Sequence, residues 1–510
     1  MHKPAKGLPK ILALPVDGRP VTREQVQQLA LVAGCELLCP PVSALGYFRE
    51  AADRDALNEW VSEHAASAQG FIFSLDMLVY GGLVPSRFID DEQSQLQARL
   101  AFLQTLKARF PEKPLYGFCA TMRMSNNNEN EEEKRYWADY GTDIWAWSYH
   151  TDRFSCLGEP ADKARAEAAR GLIPEAIQQD YLATRARNFS VTQSVLELVE
   201  QGVIDRLILP QDDTAEYGFN IAERRALQAA VEAKALADKV LIYPGADEVI
   251  YTLLVHQLCH LGQFKPIKLA LLPHHEQALM QMVARYEDRP VMESIRCQIH
   301  AAGAELVDTP EAADALIAVH CRGHLQGDWA MQYPLEQDLG FDASWCDALE
   351  QYLQAGAKPV ALLDLAYANG ADAELIERLS PTALGHLVAF TAWNTASNAI
   401  GSLVAQVCAA VGTGSSGGPE NQKLLATRLL DDFLYQSKWR QTIRKAQQTQ
   451  QTADGEQGLL ESMYLPAARQ WLEQSPFTAV ALESVYYPWA RTFEVGLVLA
   501  DTPAEEAVDA

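Results

Sequence analysis

Residues 205–248 read DRLILPQDDTAEYGFNIAERRALQAAVEAKALADKVLIYPGADE, and this stretch decides the fold. Two apolar runs, 207–209 and 240–243, each close on Pro and then on paired acids: Asp212 and Asp213 after the first, Asp247 and Glu248 after the second. Between them lies a helical pattern. An apolar strand followed by a helix and a second apolar strand marks a parallel sheet buried on both faces. Ligands of such sheets sit at the carboxyl ends of the strands, where these four acids fall.

Working outward, the same pattern recurs. Strands are predicted at 11–14, 36–38, 71–74 and 115–119, with an amphipathic helix over 93–110 among the connections. A long helical excursion, about 123–202, is expected to cap the strand ends, being too long for an ordinary connection. From residue 266 the pattern restarts, with strands at 267–272, 305–307, 315–319, 360–363 and 386–390 and helices over 291–302, 335–355 and 396–411. The expected fold class is therefore α/β, with two doubly wound parallel-sheet domains, the second flavodoxin-like, and a helical and β-hairpin C-terminal extension. A (β/α)8 barrel with an inserted α/β module is the alternative, because alternation alone does not separate the two. The expected domains are 1–264, 265–411 and 420–510. The run 412–420, GTGSSGGPE, reads as a linker. The segment 429–448 reads as a basic amphipathic helix, open between packing in its own chain and against a second copy in a homo-oligomer. A strand pair is expected around Pro488, and the acidic end 501–510 reads as frayed.

The chain has 510 residues, 48% of them hydrophobic, and a formal charge of −25 from 42 basic and 67 acidic side chains. That balance argues against nucleic acid or an anionic membrane as partner, since phosphate binding needs a basic surface. No run approaches the roughly 20 apolar residues of a membrane span. The first 20 residues lack a signal-peptide hydrophobic region, and nine cysteines scattered through apolar segments fit reduced thiols. A cytoplasmic location is the expectation.

Candidate site residues cluster after the strands. Asp17 and Arg19 stand on a turn, where a carboxylate and a planar guanidinium can grip a polar substrate or simply pair with each other. Asp76, Tyr80 and Arg87 surround Gly81 and Gly82; Arg123 and Asn126 follow the fourth strand, and Tyr217 follows the fifth. The acidic run 129–133 reads as the solvated start of a helix. Asp212, Asp213, Asp247 and Glu248 are the catalytic candidates, because two carboxyl groups in different surroundings divide into acid and base; helix capping is their simpler role. Asn369, Trp393 and Asn394 in the second half suit sugar hydroxyls and a sugar face, although Trp393 reads equally as a domain-interface residue. His256 and His260 lack the Glu of a zinc-protease motif, and no phosphate loop, dinucleotide fingerprint or serine elbow follows a strand. No metal and no cofactor are expected.

The motifs PVDGRP (15–20), GGLVPSR (81–87), LPQDD (209–213) with Tyr217-Gly218, PGADE (244–248), DLAYANGAD (364–372), WNTASN (393–398) and PWARTFE (488–494) occur in that order over nearly the whole chain. In this the chain resembles the bacterial domain-of-unknown-function family DUF4127. The resemblance implies no reaction and no catalytic residue. Some relatives stand beside carbohydrate-processing modules, which points toward sugars. Together these readings give a metal-independent intracellular carbohydrate-active hydrolase, an exo-acting glycosidase using paired carboxylates on a small-molecule or oligosaccharide substrate. A non-catalytic sugar or metabolite sensor and a Mg-dependent phosphohydrolase or phosphotransferase are the alternatives. Three arginines leave open an anionic sugar.

Overall fold

The computed structural model describes residues 8–449 and 455–501. Residues 502–510 of the acidic tail, read above as frayed, lie outside the described residues. The chain forms two compact units. Residues up to Gln27, Gly34–Leu261 and Tyr286–Cys297 make the first; Gln28–Ala33, Gly262–Arg285 and the residues from Gln298 onward make the second.

The first unit is built on six strands: β1 (Lys10–Leu14), β2 (Glu36–Leu38), β3 (Gly70–Ser74), β4 (Leu115–Phe118), β5 (Arg206–Gln211) and β6 (Val240–Pro244). They are parallel throughout, in the order β2-β1-β3-β4-β5-β6. Every residue of β3 and β4 is buried, which is why these strands read as unbroken apolar runs rather than alternating ones. The chain reverses its direction of progress across the sheet between β1 and β3, and that switch point is where open α/β sheets leave a crevice for ligands. Three helices, Trp137–Leu157, Pro160–Leu172 and Glu175–Glu200, occupy the long excursion. Trp137, Ile144, Trp147, Ala169, Ile173 and Tyr181 form a small core of their own there, while Val191, Val195 and Val199 at the far end of the last helix join the core under the sheet.

The second unit has a five-stranded parallel sheet. Its spatial order is Glu305–Leu306, Lys268–Pro273, Ala315–His320, Val360–Asp364, Leu387–Thr391, which is the flavodoxin-like 2-1-3-4-5 arrangement. The barrel alternative is corrected by these two open sheets. Val360–Asp364 and Leu387–Thr391, which a barrel would have recruited beside the first six strands, pair instead with each other and within the second sheet. The helix expected over 335–355 starts only at Ala343. Asp342 caps it, accepting from Ser344 N at 2.9 Å and Trp345 N at 3.2 Å, and Glu336–Asp338 before it is a short strand.

Helix Ala396–Thr413 has the length and hydropathy of a membrane span, yet 83% of it is buried inside the protein. It is a core helix of the second unit. The C-terminal segment packs on the same core, where Leu425, Leu429, Phe433, Ile443, Tyr464 and Val485 join Leu316, Leu362 and Phe390. Strands Val480–Tyr486 and Gly496–Asp501 pair antiparallel around Pro488. The amphipathic reading of 429–448 holds only for its second half. Leu429–Trp439 is a π-helix, and its first eight residues are all buried, Asp431 and Asp432 included. Runs of π-helix are rare and cluster at functional positions.

Candidate functional site

The carboxyl edge of the first sheet gathers acids and arginines from five strand ends. After β1, the chain turns so that Asp17 takes Arg19 N at 2.9 Å on Oδ1 and Arg19 Nε at 2.9 Å on Oδ2; the Thr22 hydroxyl lies 2.7 Å from Oδ1. This local net fixes the guanidinium before it meets anything else. Its far nitrogen then reaches Asp247 Oδ1 at 2.5 Å. Both partners are buried, with Arg19 6% and Asp247 4% exposed.

After β3, Ser74 caps a single buried helix, Leu75–Tyr80, and directs Asp76 toward the rim. Asp76 is 1% exposed, and its Oδ2 accepts Ala120 N at 2.9 Å from the end of β4. The turn that follows carries Arg87, also 1% exposed, which donates to Asp212 Oδ2 at 2.9 Å after β5. Arg123, after β4, reaches Asp213 Oδ2 at 3.2 Å. Asp213 holds a backbone φ of +30°, a strained conformation for a residue with a Cβ and one that persists only where neighbours enforce it.

Two further acids join this net that the sequence reading had assigned to solvent. Helix formation begins at Trp137, not at 129, so the acidic run lies in a loop that leaves Glu129 and Glu131 exposed and turns Glu132 and Glu133 to the arginines. Glu133, 4% exposed, pairs with Arg123 at 2.8 Å and Arg87 at 3.3 Å; Glu132 pairs with the same two at 2.9 Å and 3.4 Å. A buried guanidinium needs an opposing charge and partners for its remaining N–H groups, and Arg87 with Arg123 was the available signal.

Burial and crowding reset the acidities. Asp76 is pushed up to about 7 by burial, with the charge of Asp212 adding to it and Ala120 N–H and Arg87 opposing. Burial also pushes Asp247 up to about 7; Arg19 opposes this, and Asp17 and Asp212 add to it. Asp213 rises to about 6 through burial and Asp212, against Arg123. Asp212 is thus the common neighbour of the other three. Glu248 differs in role. It is 1% exposed and turns back on its own loop, where Oε2 accepts Ala246 N at 2.9 Å.

The remaining predicted residues fall elsewhere. Tyr80 is 1% exposed and packed in the core under the sheet, presenting no face to the surface. Asn126 is exposed. Tyr217 stands edge-on to Tyr149 at 5.6 Å, against the helical excursion. Asn369, Trp393 and Asn394 belong to the second unit. There Asn369 and Asn394 both hold left-handed backbone, at φ +60° and +58°, and are tied by Asn369 N donating to Asn394 O at 2.8 Å. Trp393 is 3% exposed under the Arg428 guanidinium. Among the described residues, no group of three or more His, Cys, Asp or Glu side chains is arranged to hold a metal ion.

No curated protein matches the chain. The order of motifs over the whole chain agrees with the family match, which covers residues 11–498: the chain belongs to the family described as Protein of unknown function (DUF4127).

Proposed function

We propose that the protein is a metal-independent glycoside hydrolase in which Asp247 gives a proton to the leaving oxygen and Asp212, paired with Arg87, supplies the opposing carboxylate. The observation that carries this reading is the placement of Asp247, whose carboxyl is held near 7 by burial beside Arg19 with Asp212 as a neighbouring charge. A carboxyl group still protonated near neutral pH beside a second carboxylate is the acid–base arrangement that glycoside cleavage requires. Asp213 is the reserve for the second role, because it is less buried and shares Asp212 as neighbour. The low exposure of Asp76 and Asp247, 1% and 4%, supports an exo mode in this reading, since buried carboxyls suit a chain end better than the middle of a polymer. Nine unpaired cysteines support a reducing, cytoplasmic setting.

The test is release of the aryl group from a panel of aryl glycosides, with and without a chelator. Chelator-resistant turnover that falls at least about 100-fold in Asp247→Asn is expected, the scale of a lost general acid. Silence across the panel, or turnover abolished by the chelator, overturns the proposal.

A further inference from the structure

The second unit holds a cleft that shares no residue with the proposed glycosidase site. Its volume is about 440 Å³, and it lies among the helices Ala373–Arg378 and Pro381–His386, the π-helix Leu429–Trp439 and the helix Leu465–Gln474. Pockets of several hundred Å³ with apolar and aromatic linings are the usual seats of small molecules. Here Ile376, Leu379 and Leu384 supply aliphatic surface, and Phe433, Trp439 and Trp471 supply rings.

The π-helix accounts for the opening. At 3.6 residues per turn, positions five apart on an α-helix point about 140° away from each other. A helix bonded from i to i+5 brings such positions onto one face. Phe433 with Lys438, and Leu434 with Trp439, are pairs of this spacing, and all four side chains line the cleft. The other π-helical run among the described residues, Leu460–Tyr464, leads directly into the helix that carries Trp471. Both departures from α-helix therefore serve the walls of this cleft, and such departures concentrate at functional positions.

The polar groups of the lining say what it takes. Lys438 and Glu377 stand at the exposed lip and pair with each other at 2.5 Å, which leaves no spare charge of either sign. The Ser475 hydroxyl is spent, donating to Leu472 O at 2.7 Å and accepting Phe477 N at 3.2 Å. The indole N–H groups are not. Trp439 and Trp471 are half-buried, neither N–H meets a protein acceptor, and neither nitrogen is shut away from solvent; the Trp329 N–H, by contrast, is taken by Ala371 O at 3.0 Å. An indole nitrogen only donates, so the group that answers it is an acceptor. An ion would enter an apolar cleft without a free counter-charge, at a cost that an uncharged acceptor avoids. A cavity of roughly 150 Å³ holds one benzene, so there is room for about two or three rings.

We propose that this cleft binds a neutral, apolar molecule of two or three rings that carries a carbonyl or ether oxygen. The site is independent of the glycosidase reading and survives its failure.

Ligand-observed NMR titration of the full chain at pH 7 tests it with four probes on one two-ring body: acetylnaphthalene, ethylnaphthalene, naphthoate and naphthylmethylammonium. Acetylnaphthalene is expected to bind at least about tenfold more tightly than either ion and about fivefold more tightly than ethylnaphthalene, the scale of one hydrogen bond. Trp439→Phe and Trp471→Phe each keep a ring and remove an N–H, and at least one of them should bring the acetyl and ethyl probes to equal affinity. Melting temperatures of the two variants, read alongside, separate lost binding from lost fold. No binding of acetylnaphthalene, an ion or the ethyl probe binding as tightly as it does, or an acetyl preference unchanged in both variants overturns the inference.

Discussion

Arg19 and Asp247 meet at 2.5 Å across 228 residues of chain, although the strands they follow, β1 and β6, stand four places apart in the sheet order. The reason is the helix that begins directly after Asp247 and Glu248. Val249–His260 turns back across the sheet, where Gln257 Nε2 donates to Phe71 O at 3.2 Å and Pro114 O at 3.3 Å, and the His256 ring lies 5.5 Å from Tyr116. Its packing on β3 and β4 carries the loop after β6 to the switch point beside β1. An acid from the edge of the sheet is thereby delivered to the place where the fold leaves a crevice.

That pairing has a measurable cost when one side is removed. Arg19→Ala strips the shared cation from two buried carboxylates, and breaking a buried pair in this way typically costs about 3–5 kcal/mol. The loss should be largest at pH 8, where Asp247 is ionised, and smaller at pH 5, where its raised acidity leaves it protonated. Urea unfolding of the first unit at both pH values checks this. An equal loss at pH 5 and pH 8 would mean that Arg19 contributes through Asp17 and packing rather than through its pairing with Asp247.

The proposed chemistry carries its own pH signature. A general acid must hold its proton in the free enzyme, so turnover on any aryl glycoside that is cleaved should fall as pH rises through about 7, the value to which Asp247 is pushed. Asp76, raised to the same region, stays as a second titrating group. In Asp247→Asn the residual rate should lose most of the high-pH limb. A profile that rises through pH 7 and stays level to pH 9 is incompatible with Asp247 as proton donor.

The second unit makes a stability prediction independent of catalysis. Asp431 is 3% exposed and pushed up to about 7, by burial first and then by Asp432 beside it. Its folded form therefore keeps a proton that the unfolded chain gives up near 4. Between pH 4 and 7 the unfolded state ionises alone, so stability falls as pH rises and the loss is complete above 7. Asp431→Asn removes the ionisation while retaining an oxygen for Gln436 Nε2, which now donates to Asp431 Oδ1 at 3.1 Å. At pH 8 the variant should be more stable by about 2–3 kcal/mol, and at pH 4 nearly unchanged. Scanning calorimetry at the two pH values decides it, and a variant destabilised at pH 8 would show that the Asp431 carboxylate has a compensating partner.

How far the sequence carries depends on what each residue type reports. Buried parallel strands announce themselves because both faces are apolar, and β1 to β6 fall within two residues of where 11–14, 36–38, 71–74, 115–119, 207–209 and 240–243 placed them. The paired acids after β5 and β6 were legible as rim residues for the same reason. Tyr80 was not legible as core, yet the run Leu75–Tyr80 in which it sits is buried at every position, and a short helix apolar on all sides is a core helix. Glu132 and Glu133 escaped because an acidic run without periodicity looks solvated, and only the burial of Arg87 and Arg123 calls it inward. The π-helix at Leu429–Trp439 escaped as well. Its sequence suits an amphipathic α-helix, and tertiary packing overrides that preference.

Glu248 offers the sharpest separation of structure from catalysis. Gly245 holds φ +130°, and a Cβ there would come 2.2 Å from Glu248 Oε1. The buried Glu248 carboxylate fills the space above the glycine and accepts Ala246 N, so it braces the loop that presents Asp247. Gly245→Ala should therefore cost stability twice, through left-handed backbone forced on an alanine and through displacement of the brace, for a total of about 2 kcal/mol or more. Glu248→Gln keeps an oxygen for Ala246 N–H and leaves the shape unchanged. It should preserve most of the turnover on a cleaved aryl glycoside, whereas Asp247→Asn should not. If Glu248→Gln falls as far as Asp247→Asn at equal stability, the roles are exchanged: Glu248 is then the acid, and the Arg19–Asp247 pair is the scaffold that holds its loop in place.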